Sequence, residues 1–154
     1  MDNKKEEGLT DSHVQSIFNS IRIIGILISN GANINAKDKK GFTPLHRATL
    51  DNCKVIVEML ISNGADIHAK DKNGLTPLHI AARDNAKETL EFLISKGADI
   101  NAKDDKGRAP LDFAFMKESH ETIKILLRFH AKFCLMIGIN YQKKIQGTIS
   151  VKMK

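Results

Sequence analysis

Apolar side chains come in short bursts at helical spacing, and the bursts recur in pairs. Leu45 and Ala48 precede Val55, Ile56, Met59 and Leu60; Leu78, Ala81 and Ala82 precede Leu90, Phe92, Leu93 and Ile94. Such spacings gather each burst on one face of an α-helix, so each pair predicts a short first helix and a second helix that begins after Asn52 or Asn85. Polar punctuation agrees. Asp38 with Gly41, Asp71 with Gly74 and Asp104 with Gly107 occupy the first and last places of a turn, where Asp bonds back to the backbone and Gly accepts unusual dihedrals. Thr43 with Pro44, and Thr76 with Pro77, read as helix starts: the hydroxyl caps free amides and the proline is preset for the first helical position. Pro110 marks a third start, and Gly64 and Gly97 end second helices where a left-handed residue is wanted.

These elements belong to a repeat. Residues 31–63, GANINAKDKKGFTPLHRATLDNCKVIVEMLISN, are followed by a near copy at 64–96 and a looser one at 97–129, a period of 33 residues. A fixed period of this size predicts a solenoid, in which each unit buries its apolar face only against its neighbours.

TPLH stands complete at residues 43–46 and 76–79 and decays to APLD at 109–112. With the period, it resembles the ankyrin repeat. The resemblance implies an all-α fold: stacked helix-turn-helix units whose turns project as β-hairpin-like fingers, with fingers and first helices forming a concave groove. It makes His46 and His79 structural hydrogen-bonding residues. It also assigns groove positions: Lys39, Lys40, Phe42, Leu50 and Asp51 in the first full repeat; Lys72, Asn73, Leu75, Arg83 and Asp84 in the second; Asp105, Lys106, Arg108, Met116 and Lys117 in the third. These positions differ between copies while the framework does not, so they are free to answer to a partner. Phe42, Leu50, Leu75, Arg83, Arg108 and Met116 are the expected anchors, because aromatic, Met and Arg side chains are favoured at protein contacts. Drift at unconstrained surface positions is the competing explanation.

The third repeat is worn. Ala109 removes the capping hydroxyl, a loss of about 1 kcal/mol. Asp112 takes the histidine position, and Phe113, Phe115 and Met116 enlarge the first helix, so this unit is expected to fray first. Upstream the register persists faintly: Gly8, Thr10 and His13 precede Gly41, Thr43 and His46 by one period. Residues 8–30 are therefore expected to be a degenerate capping repeat, with 21–28 as its second helix and Gln15, Ser16 and Asn19 turned to water, behind a disordered 1–7. A fragment of a longer array is the alternative. Downstream, residues 130–154 lose the pattern. They read as an apolar flap over the last repeat through 133–139 with disorder beyond Asn140, as a disordered basic tail throughout, or as an unrelated terminus.

Charge and chemistry narrow the function. The formal net charge is +6, and five lysines without an acid fall in residues 130–154, leaving the repeats near neutral. Each Lys37, Lys70 and Lys103 sits beside Asp38, Asp71 and Asp104, an alternation expected to cancel at a distance. Lysine outnumbers arginine and tryptophan is absent, which disfavours nucleic-acid reading. No apolar run reaches the ~18 residues of a membrane span, and the charged first residues are no secretion signal. Cys53 and Cys134 lack metal or redox spacing and read as reduced thiols of a cytosolic or nuclear protein. His13, His46 and His79 recur one repeat apart, about 10 Å, whereas ligands lie near 2 Å from an ion. With no nucleophile, phosphate-loop or HExxH motif either, no enzyme and no cofactor are expected. The expectation is a monomeric, non-catalytic adaptor, scaffold or inhibitor gripping a protein partner. The alternatives are contact with nucleic acid or an anionic membrane through the lysine tail, and a shortened family member without a partner.

Overall fold

A computed structural model describes the backbone of residues 11–136 and the side chains of residues 19–130. Among the described residues the secondary structure is entirely helical: α1 (Asp11–Ser29), α2 (Pro44–Leu50), α3 (Lys54–Ser62), α4 (Pro77–Arg83), α5 (Lys87–Ser95), α6 (Pro110–Met116) and α7 (His120–Met136). The last six form three pairs. The first helices α2, α4 and α6 pack in one row and the second helices α3, α5 and α7 in another, with the first-helix row in closer contact. Ala81, Ala82 and Ala114, all 0% exposed, allow that approach, while Leu45, Leu60, Leu78, Leu90, Leu93 and Leu126 fill a core continuous from repeat to repeat.

Local chemistry explains each pair. Thr43 is extended at φ −82° and ψ 167°, and Pro44 starts α2 behind it. The reversal into the second helix falls on Asn52 (φ 50°) and Asn85 (φ 56°), the side chain that best tolerates left-handed backbone after glycine. Their amides also reach the next repeat: Thr89 Oγ1 donates to Asn52 Oδ1 at 2.9 Å, and Thr122 N–H to Asn85 Oδ1 at 3.3 Å. Glu118 takes the same left-handed turn at φ 54° without that suitability.

The fingers are turns, not ladders. Asp38 N–H donates to Phe42 O at 3.0 Å and Gly41 N–H to Asp38 O at 2.9 Å. Adjacent fingers join by single backbone bonds, Lys72 N–H to Lys40 O at 3.2 Å and Asp105 N–H to Asn73 O at 3.0 Å. A Cβ on Gly41 would stand 2.7 Å from Lys72 N, and one on Gly74 would stand 2.7 Å from Asp105 N. Close approach of neighbouring backbones, as well as a positive φ, therefore demands glycine there.

Both ends depart from the sequence expectation. Residues 11–29 form one uninterrupted helix where a first and a second helix were expected, and α1 is the helix least engaged with the others. The counterparts of Leu45 and Ala48 are Ser12 and Gln15, so no buried Leu–Ala pair rewards a chain reversal at Asn19. Leu27 is consequently 52% exposed, whereas its counterparts Leu60, Leu93 and Leu126 are at most 1% exposed. At the other end α7 continues past Arg128, the counterpart of the last residue of α5, as far as Met136. Residues 133–136 are thus helix. Residues 1–10 and 137–154, with the flap and tail readings beyond Met136, lie outside the described residues.

Candidate partner-binding surface

The histidines tie each first helix to the finger after it. Thr43 N–H donates to His46 Nδ1 at 3.2 Å, and His46 Nε2 lies 3.0 Å from Leu75 O. In the next repeat Thr76 N–H donates to His79 Nδ1 at 3.1 Å, with Nε2 3.1 Å from Arg108 O. Because Nδ1 must accept, the proton sits on Nε2 and donates to the carbonyl, and the ring is neutral. Burial holds both imidazoles below their ordinary pKa, outweighing the carbonyl bonds and nearby carboxylates that favour the charged form. Lys37 Nζ donates to Lys70 O at 2.9 Å, and Lys70 Nζ to Lys103 O at 2.8 Å, so two members of the lysine row also fasten neighbouring repeats.

The third repeat replaces these devices. Asp112 accepts from Ala109 N–H at 2.8 Å, taking over the reach-back half of the capping box that His46 and His79 supply in the earlier repeats, while the half made by the threonine hydroxyl is lost. An acid three residues after the cap position was the available signal.

The turn carboxylates are all bonded within the chain, and those of Asp71 and Asp104 are buried while Asp38 stays exposed. Asp38 Oδ1 accepts from Lys40 N–H at 2.8 Å and Phe42 N–H at 3.0 Å, while Arg47 binds Oδ2. Hydrogen bonding from Arg47, helped by the backbone donors, brings the Asp38 pKa down to about 2. Asp71 Oδ1 accepts from Asn73 and Leu75 N–H, each at 2.8 Å. Burial disfavours the charge on Asp104, but the guanidinium and N–H of Arg108 with Lys106 N–H outweigh it and lower its pKa.

The expected groove residues divide accordingly. Lys39, Lys40, Lys72, Asn73, Asp105 and Lys106 are exposed on the finger tips; Asp51, Asp84 and Lys117 are exposed just beyond the first helices. Leu50 at 36% and Met116 at 63% end α2 and α6 as exposed apolar side chains. Four expected anchors are engaged within the chain. Phe42 stacks on His46 with centroids 5.4 Å apart and carries the Arg47 guanidinium 4.8 Å from its ring centre. Leu75 is half-buried. Arg83 forms a two-bond pair with Asp84, 2.7 Å each. Arg108 bonds Asp104 Oδ2 at 2.8 and 2.7 Å and lies 4.4 Å from the Phe113 ring centre. Phe115, 41% exposed beside Met116, was not among the expected site residues, since a bulky residue on that helix reads equally as core.

Elsewhere, an open cleft of ≈ 490 Å³ lies on the end face of the third repeat, against Ile100, Leu111, Leu126 and His130. Among the described residues no three His, Cys, Asp or Glu side chains could hold a metal ion, and no helix is long and apolar enough to cross a membrane.

Stacked helix pairs, each fastened to the next through its finger, histidine and asparagine, define a helical repeat array. Two family models match the chain, one described as ankyrin repeats (3 copies) over residues 56–137 and one as ankyrin repeats (many copies) over residues 27–81. The chain belongs to the ankyrin repeat family, whose repeats are generally protein-interaction modules and typically non-catalytic. No curated protein matches it.

Proposed function

We propose that this chain is a non-catalytic, monomeric protein-binding module that holds a partner on the face made by its fingers and first helices, as an adaptor, scaffold or inhibitor. Closer packing along the first-helix row than along the second supports a stack that is concave toward that row. The observation that carries the reading is the difference between kinds of position. Framework side chains hold the same bonds in successive repeats, whereas the finger tips and first-helix ends change residue from copy to copy and stay largely exposed. Leu50, Phe115 and Met116 supply apolar contact area there. A reducing compartment, cytosol or nucleus, suits the free thiol of Cys53.

The test is affinity purification from cells producing the full chain, alongside a double variant Leu50→Asp with Met116→Asp and a control Val55→Asp. Val55 is 51% exposed on α3, away from the proposed face. Specific partners are expected to be lost with the double variant and kept with the control. If every partner survives the double variant, the reading fails.

A further inference from the structure

We propose that the finger ridge receives an extended acidic segment of the partner protein, with a carboxylate at every third residue. This deepens the reading of the same face and rests on it. The evidence begins with where the fold puts its charges. Residues 37–47, 70–75 and 103–108, the fingers with the arginine that closes the first, carry nine Lys and Arg side chains against four Asp; the rest of residues 31–130 carries seven against ten acids. An alternation that cancels along the sequence is separated in space, with a basic edge on a mildly acidic body.

The finger acids do not neutralise the tips. Asp71 and Asp104 are 9% and 5% exposed and face their own turns; Asp38 and Asp104 are further matched by Arg47 and Arg108. Lys39, Lys40, Lys72 and Lys106 project outward, and among the described residues none of their amino groups has an ion pair. Asp38, although held by Arg47, and Asp105 are the exposed exceptions.

Geometry selects the ligand's form. Fingers bonded backbone to backbone recur at the spacing of packed helices, about 8–10 Å. A polyproline II segment returns to the same side every third residue, after about 9.3 Å at ~3.1 Å per residue, so carboxylates at that period meet successive fingers together. On a β-strand, same-side residues return after about 6.6 Å and fall out of step. A polynucleotide fits less well. It calls for stacking surfaces and free arginine forks, whereas Phe42 is covered by His46 and Arg47, and both finger arginines are held by aspartates. Leu50, Phe115 and Met116 beside the ridge offer apolar contacts that suit a peptide.

Fluorescence anisotropy with the full chain tests this, using a labelled proline-rich peptide of about nine residues with glutamate at every third position. Its comparators are a peptide of the same composition with the glutamates adjacent, and an oligothymidylate. The protein variants are Lys40→Gln, Lys72→Gln and Lys106→Gln together, and Lys143→Gln, Lys144→Gln, Lys152→Gln and Lys154→Gln together. Thermal melts confirm that each variant folds. The spaced peptide is expected to bind about tenfold tighter than the adjacent one, to lose about tenfold with the finger variant, and to change less than about twofold with the tail variant. Equal binding of the two peptides, loss confined to the tail variant, or tighter finger-dependent binding of the oligothymidylate would overturn the proposal. If partners that are lost with Leu50→Asp and Met116→Asp survive the finger variant, this inference alone fails; if every partner survives both the finger variant and the apolar double variant, the parent reading fails with it.

Discussion

Leu27 and Leu60 occupy the same place in the repeat and live in different surroundings, so truncating each to alanine measures how the stack begins. Leu60, on α3, is 1% exposed within the core continuous between repeats, and removing its buried methyl groups leaves a cavity. Such a change costs about 2–5 kcal/mol, a large part of the 5–15 kcal/mol typical of a domain. Leu27 is 52% exposed, so it keeps about half of the 1.5–3 kcal/mol that full burial confers, and its loss opens no enclosed space. The expected cost is about 1 kcal/mol or less. Urea titration followed by circular dichroism reads the difference directly. With a slope of about 1–3 kcal/mol per molar, Leu60→Ala lowers the midpoint by roughly 1 M or more, and Leu27→Ala lowers it by a few tenths. Equal costs would mean that the exposed face of α1 is covered in solution, and the account of a first repeat without its first helix would be wrong.

Stability should also fall with acid between neutrality and pH 5. His46 and His79 titrate below their ordinary pKa in the fold, so the unfolded chain takes up protons first once the pH drops beneath about 6.5. Each ring adds up to about 1.4 kcal/mol per pH unit in that window, and a flat profile from pH 7 to 5 in denaturant titrations contradicts the assigned tautomers. Gly74→Ala should destabilise by more than about 1–2 kcal/mol, because φ is +77° and the new methyl meets Asp105 N at 2.7 Å; an unchanged melting temperature rules out the close finger contact. Glu118→Asn should stabilise by a few tenths to about 1 kcal/mol by suiting the left-handed turn at φ 54°, and a loss of stability in the same assay refutes it. Residues 109–129, which among the described residues have a neighbouring repeat on one side only, should exchange amide hydrogens faster than residues 76–96, and equal protection removes the prediction that the last unit frays first.

Much of this architecture was legible in the residues because its packing is short-range and written out once per repeat. The caps at Thr43 and Thr76, the Asp–Gly turns, the burial of Leu45 and Leu78 and the structural task of the histidines all depend on neighbours at a constant offset. What the tertiary structure alone decided is how side chains are engaged when more than one arrangement is chemically open. Arg108 and Phe42 read as anchors, yet Asp104, Phe113, His46 and Arg47 lie within reach and hold them. Asp112 read as wear, yet it caps its helix. The faint register before residue 31 suggested two helices, but a register supplies no burial, and without a Leu–Ala pair the chain stays one helix. Composition placed the repeats near neutrality, and only folding, by burying Asp71 and Asp104, pairing Asp38 with Arg47 and leaving the finger-tip lysines in water, gives the fingers their basic edge. Sequence specifies contacts that repeat with the chain; the field of a surface depends on which groups the packed structure leaves in water.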